Sequence, residues 1–158
     1  VFQFSVKLDS PDPVTTQKEK NHAITPLADF SKLRVLLVED NFINQEVMIA
    51  ILNSLKINVD VANDGLDAVT MLSHSRSSTF DLILMDCQMP NLDGYETTRR
   101  IRAGDAGELS SKIPIIALTA NTMNSEREKC INAGMNEYLT KPINTNALKS
   151  ILAEYQPT

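Results

Sequence analysis

Beyond Lys32 the chain alternates short aliphatic runs with longer stretches of mixed polarity. The runs are Val35-Leu36-Leu37-Val38, Val59-Asp60-Val61-Ala62, Leu82-Ile83-Leu84-Met85, Ile113-Pro114-Ile115-Ile116-Ala117-Leu118 and the weaker Tyr138-Leu139. Each has strand length, and near-continuous apolar runs are what strands covered on both faces require. Between them, apolar residues return at helical spacing. Val47, Ile51 and Leu55 define one predicted face, Ala68, Met71 and Leu72 another, and Ile131 with Leu148, Ile151 and Leu152 continues the pattern. Asn41 and Asp93 stand where helix N-caps are needed, and Ser125-Glu126-Arg127-Glu128 has the form of a capping box, with a slightly earlier helix start as the alternative. Gly65, Gly94 and Gly134 mark turns or helix ends.

Strands alternating with helices predict parallel pairing, because a parallel connection needs a crossover long enough to hold a helix. The expected fold class is therefore α/β, an open, doubly wound five-stranded parallel sheet with helices on both faces. Ligands of that class gather at the carboxyl ends of the strands, where strand order reverses.

Ahead of this regular part, Phe2, Phe4 and Val6 alternate with polar residues like a strand, and residues 9–32 are mostly polar, without period. The expected organisation is a strand belonging to a preceding domain in 1–8, a linker in 9–32 and one domain in 33–156.

The chain has 158 residues, 42% of them hydrophobic and 22% charged, which suits one soluble domain with a full core. Its net charge of -5 leaves no basic footprint for direct nucleic-acid binding or for contact with an anionic membrane. Cys87 and Cys130 form no C-x-x-C, so neither zinc nor a thioredoxin-like motif is suggested, and a reducing, cytoplasmic compartment is expected. No signal peptide or membrane span is present, so an anchor of the parent protein in the inner or plasma membrane would lie outside this segment.

The chemistry is at the strand ends. Glu39-Asp40 follows the first run, Asp86 the third, Thr119 the fourth and Lys141 the fifth, so all five should face one edge. Two like charges about 4 Å apart repel by roughly 4 kcal/mol at an effective dielectric near 20, so cations must join the three carboxylates. Lys141 is one candidate and a hard divalent ion, Mg²⁺ with Mn²⁺ as the alternative, is the other. A metal held beside a free carboxylate poises it for in-line attack on phosphorus. Asp86 stands alone after its strand and is the best nucleophile; Glu39 and Asp40 suit the ion, partly through water. Thr119 and Lys141 are placed to bind phosphoryl oxygens.

These segments resemble the response-regulator receiver family, in the form found as the C-terminal receiver of hybrid sensor histidine kinases. The resemblance is carried by Val35-Leu36-Leu37-Val38-Glu39-Asp40-Asn41 with Asn44, Leu84-Met85-Asp86-Cys87-Gln88-Met89-Pro90 with Asp93-Gly94, Ile116-Ala117-Leu118-Thr119-Ala120, and Gly134-Met135 with Tyr138-Leu139-Thr140-Lys141-Pro142. It implies a flavodoxin-like sheet of strand order 2-1-3-4-5, with Asp86 as phosphoacceptor. It also implies metal ligation by Glu39, Asp40, Asp86 and the Gln88 backbone carbonyl, and a switch made of Thr119 and Tyr138. A cis Lys141-Pro142 bond and phosphoryl lifetimes tuned at Gln88 and Asn121 are implied too. The implied partner is a histidine-containing phosphotransfer domain or a histidine kinase domain. The receiver itself would have only weak self-dephosphorylating activity, kinase activity belonging to the parent. Phe2 to Val6 looks like the last strand of a kinase ATP-binding domain.

Two other classes fit less well. An aspartate-nucleophile phosphohydrolase usually carries a second Asp two residues after the first, where this chain has Gln88. A flavodoxin-type flavin carrier needs a Ser/Thr/Gly-rich phosphate loop where this chain has Glu39-Asp40-Asn41. His22 and His74 lack the context of a phosphoacceptor helix and read as solvated bystanders. Cys87, Cys130, Met85, Met89, Met123 and Met135 read as packing, and Arg99, Arg100 and Arg102 as a solvated helix face.

Overall fold

The computed structural model describes residues 28–74 and 80–157. The segment from Phe2 to Val6, the polar stretch through residue 27 with His22, and most of the Ser-rich turn after Ser73 lie outside the described residues. Five strands alternate with five α-helices in the order β1 (Arg34–Val38), α1 (Phe42–Ser54), β2 (Asn58–Ala62), α2 (Gly65–Ser73), β3 (Leu82–Asp86), α3 (Gly94–Ala103), β4 (Ile115–Thr119), α4 (Asn124–Ala133), β5 (Glu137–Thr140) and α5 (Thr145–Glu154). All four pairings are parallel and the strand order is β2-β1-β3-β4-β5, as expected.

The period-2 alternation of strand side chains divides the central runs between two cores. Leu36 and Val38, Ile83 and Met85, Ile115 and Ala117 pack with α2, α3 and α4 residues such as Ala68, Leu72, Ile101 and Cys130. Val35 and Leu37, Leu82 and Leu84, Ile116 and Leu118 pack with Met48, Leu52, Leu148 and Leu152 of α1 and α5. Phe30, in the stretch read as linker, is buried in this second core. Burying each such aliphatic side chain contributes about 2 kcal/mol against the entropy of ordering it.

Three sequence expectations need correction. The inward face of α1 is Gln45, Met48 and Leu52, whereas Val47 is exposed. Because α1 is apolar nearly all round, its period does not select a face, and the sheet decides. Ile131 and Met123 are exposed as well, so they do not belong to the core. Finally, α4 takes the earlier of the two expected starts, at Asn124 with Met123 at the cap position and no side-chain cap, so Ser125 does not form a capping box. Asn41 and Asp93 do cap, accepting the backbone N–H of Asn44 and Glu96.

Parallel pairing sends every carboxyl end to one edge, and the register aligns them. Val38 lies opposite Met85, Asp86 opposite Leu118, and Thr119 opposite Thr140. Among the described residues, no helix is long and apolar enough to cross a membrane.

Candidate functional site

At the end of β1 the chain leaves the sheet through Glu39, turns at Asp40 and enters α1 under the Asn41 cap. Glu39 is fully buried, and its carboxylate is held on both oxygens. Oε1 accepts the Asn41 backbone N–H and the Asn44 side-chain amide, each at 3.2 Å, and Oε2 accepts the Lys141 ammonium at 2.8 Å. Gln45, on the buried face of α1, donates to the Glu39 carbonyl at 2.6 Å and to Asn63 Oδ1 at 3.1 Å. Asp40 is exposed, and among the described residues its carboxylate has no hydrogen-bond partner.

Asp86 closes β3 and is 4% exposed. Its Oδ1 accepts the Lys141 ammonium at 3.1 Å and the Gln88 backbone N–H at 3.3 Å. The loop beyond it is fixed by Gly94, whose N–H donates to the Cys87 carbonyl at 3.2 Å. A Cβ at Gly94 would lie 2.2 Å from the Asp86 carbonyl oxygen, so only glycine fits so close to the acceptor strand. Lys141 is set by its own backbone, which donates to the Thr119 carbonyl at 2.7 Å and precedes a cis bond to Pro142.

Glu39, Asp40 and Asp86 each offer an oxygen to a group whose members all lie within 4.8 Å of one another. Burial and the neighbouring Glu39 charge push the Asp86 carboxyl from 3.8 up to about 6, against the pull of Lys141. Burial draws the Lys141 ammonium down, but Glu39 and Asp86 more than reverse this, and its net shift is upward. One ammonium thus faces three carboxylates, two of them buried. Such an excess of negative charge, presented wholly by oxygen donors beside an open cleft, fits a hard divalent cation. The cleft holds about 340 Å³ and is lined by Glu39, Asp40, Asn41, Asn44, Asp86, Gln88, Ala120 and Lys141. A larger cavity of about 680 Å³, reaching from Phe30 to Leu55 and Lys149, brings no such group together among the described residues.

Thr119 sits at the end of β4 but does not line the cleft. Its hydroxyl is buried and turned to the next loop, donating to the Asn121 carbonyl at 3.3 Å and accepting the Asn121 N–H at 3.1 Å. Tyr138 is half-buried at β5 and packs against the α2–α4 core, beside Arg127 and Cys130.

Several residues do what sequence did not assign. Asn44 and Gln45 orient Glu39 by its side chain and its carbonyl. Arg102, read as solvated, is half-buried and donates to the carbonyls of Gly134, Ser111 and Ile113 and to Asn136 Oδ1, riveting α3 to the segments flanking β4 and β5. The Tyr95 hydroxyl donates to the nearly buried Glu126, joining α3 to α4. No local motif signals the Tyr95–Glu126, Arg102–Gly134 and Arg102–Asn136 pairs, whose members lie 31 to 34 residues apart. Cys87 and Cys130 are free and buried, and burial pushes the Cys87 thiol up to about 12, which suits packing rather than reactivity. His74 is exposed, with Nδ1 2.7 Å from the Thr70 carbonyl.

Residues 35–153 match the response regulator receiver domain family. This chain belongs to that family. Histidine kinase 5 of Arabidopsis thaliana is 34% identical to it over 96% of this chain and 18% of that protein. The sensor histidine kinase RcsC of Escherichia coli K12 is 33% identical over 96% of this chain and 15% of RcsC. The chain therefore spans less than a fifth of these relatives' length. Among solved structures, the receiver domain of the sensor histidine kinase PA1611 from Pseudomonas aeruginosa superimposes with a TM-score of 0.69 at 47% identity, covering 78% of this chain and 96% of that one. That receiver carries a magnesium ion in its active-site cleft. A co-crystal structure of the Saccharomyces cerevisiae phosphotransfer protein Ypd1 with the receiver domain of Ssk1 matches with a TM-score of 0.70 and 35% identity, over 80% of this chain and 90% of that one. As a receiver domain of the kind found in hybrid histidine kinases, this chain is a module of two-component phosphorelay signalling.

Proposed function

We propose that this receiver takes a phosphoryl group from a phosphohistidine onto Asp86 in a Mg²⁺-dependent reaction, Mn²⁺ serving as an alternative, and that the transfer switches a protein-docking surface. The observation that carries the reading is Lys141 bridging the buried Glu39 and Asp86 carboxylates beside the free Asp40. Asp40, Asp86 and the Gln88 backbone carbonyl would hold the ion, with Glu39 partly through water. Mg²⁺ bound there would supply two positive charges to offset carboxylate and phosphoryl oxygens.

With the donor imidazole in line, an Asp86 oxygen forms the new bond to phosphorus as the bond to the imidazole nitrogen breaks. That nitrogen keeps the electron pair, a proton on the donor's other ring nitrogen lets the ring leave as neutral imidazole, and the metaphosphate-like transition state is met by fixed charges. Lys141 already touches Asp86 Oδ1 and is placed to neutralise a phosphoryl oxygen. Thr119 supplies a hydroxyl donor once it gives up Asn121, and Tyr138 follows, altering the face of α4, β5 and α5.

The partner is a helical, histidine-containing phosphotransfer domain or a histidine kinase domain. Phe42, Ile43 and Val47 of α1 are 70%, 71% and 54% exposed and adjoin the Asn41–Asn44 side of the cleft, an apolar surface fit to receive a donor helix. The parent is read as a hybrid histidine kinase, with residues 1–8 ending its ATP-binding domain and a linker from residue 9 running into a cytoplasmic receiver whose core already takes in Phe30.

Incubation with acetyl phosphate, with and without Mg²⁺, tests the acceptor by intact mass. One phosphoryl addition is expected, dependent on Mg²⁺, labile at alkaline pH and lost in Asp86→Ala. No addition to a folded, Mg²⁺-binding protein would sink the assignment.

A further inference from the structure

Four of the five described α-helices begin with an Asn or Asp side chain that accepts a first-turn N–H: Asn41, Asp64, Asp93 and Asn144. Helix α4 lacks this anchor, because Met123 stands at its cap. In its first turn Glu126 accepts the Tyr95 hydroxyl on one carboxylate oxygen and has Lys129 3.6 Å from the other. Tyr95 directly follows Gly94, whose backbone lies against the Asp86 carbonyl and bonds the Cys87 carbonyl. The tie therefore runs from a base fixed to the acceptor strand to an otherwise uncapped helix start. The segment joining Thr119 to that same start is short, and it contains Asn121, the present partner of the Thr119 hydroxyl. Asn121 also reaches forward, accepting the Met123 N–H at 3.1 Å.

Resting on the reading of Asp86 as acceptor, we propose that the Tyr95–Glu126 hydrogen bond is a latch that holds the start of α4 in the unphosphorylated arrangement and so opposes phosphorylation. The Thr119 hydroxyl has one proton, and donating it to a phosphoryl oxygen means withdrawing it from the Asn121 carbonyl. Turning Thr119 toward Asp86 then draws on the loop that leads into α4. Tyr95 cannot follow, since Gly94 pins its base to Asp86. A part-buried hydrogen bond made in one arrangement and lost in the other biases the equilibrium by its own net strength. By reciprocity, breaking it must favour whatever binds the second arrangement.

The test uses Tyr95→Phe, Glu126→Ala, Glu126→Gln and the Tyr95→Phe/Glu126→Ala double variant. Beryllium trifluoride with Mg²⁺ serves as the phosphoryl analogue, titrated by NMR, and amide hydrogen exchange is followed in the unliganded proteins. Tyr95→Phe and Glu126→Ala are expected to half-saturate at about threefold to tenfold lower analogue concentration. The double variant should gain no more than either single one, as expected of partners in one bond. Glu126→Gln, which keeps an acceptor oxygen, should stay nearest the wild type. Exchange in the first turn of α4 should quicken in Tyr95→Phe without ligand. Unchanged titrations, or gains that add in the double variant, would overturn the latch while leaving Asp86 as the acceptor. Unchanged α4 exchange in unliganded Tyr95→Phe would also overturn it, by showing that the bond does not hold the helix. A wild type that fails to bind the analogue at all would remove the acceptor reading, and the latch with it.

Discussion

Replacing Asp86 with Asn should make the metal-free protein more stable at neutral pH. Asp86 is nearly buried and lies beside Glu39, and these two effects outweigh Lys141 and carry its carboxyl from 3.8 to about 6. The folded protein therefore binds more protons than the unfolded chain between those values, and stability falls as pH rises through that window. Well below 3.8 Asp86 is neutral in both states and costs nothing; well above 6 the folded state bears the full penalty, about 3 kcal/mol. Asparagine keeps the shape and stays neutral at every pH. Part of the gain is lost because its amide cannot accept from Lys141 and Gln88 as a carboxylate does, which leaves an expected stabilisation of about 1–3 kcal/mol at pH 7.5. Urea denaturation with a chelator present, at pH 7.5 and again at pH 4, measures both ends. The advantage should nearly vanish at pH 4. With millimolar Mg²⁺ at pH 7.5 it should shrink or reverse, because the wild type alone gains binding energy from the ion. An Asp86→Asn variant equal to or weaker than wild type at pH 7.5 without metal would refute the charge accounting.

Lys141→Met removes the cation that, among the described residues, touches both buried carboxylates. Since Lys141 is 25% exposed, the loss should be about 2 kcal/mol in chelator, less than for a fully buried pair, and Mg²⁺ should recover part of it in urea titrations. Arg102→Met abolishes four hydrogen bonds from a half-buried guanidinium and should cost about 3 kcal/mol, read as a lower urea midpoint, while acetyl phosphate still labels Asp86. Phe42→Ala with Val47→Ala removes exposed apolar surface on α1. It should leave stability within about 0.5 kcal/mol and acetyl phosphate labelling unchanged, yet slow transfer from a phosphohistidine donor domain at least about tenfold, the equivalent of about 1.4 kcal/mol of lost binding. Equal transfer rates would place donor docking elsewhere.

Sequence alone determined the alternation of strands and helices, because runs such as Leu82-Ile83-Leu84-Met85 are apolar at every position and suit only a strand covered on both faces. That alternation in turn set Glu39, Asp40, Asp86, Thr119 and Lys141 on one edge, since parallel strands share the direction of their carboxyl ends. Where a helix carries apolar residues nearly all round, as α1 does, the pattern gave no unique face. Packing against the sheet selected Met48 and Leu52, exposed Val47, and turned Gln45 inward to hold the Glu39 carbonyl. Only tertiary structure decided that Thr119 turns away from the cleft toward Asn121, that Arg102 is a rivet and not a solvated charge, and that Tyr95 ties α3 to an uncapped α4. Each of these is a bond between groups far apart in sequence or a choice among local partners. A hydrogen bond is directional over a range of about 3 Å, whereas hydrophobic patterning fixes only which face is inward.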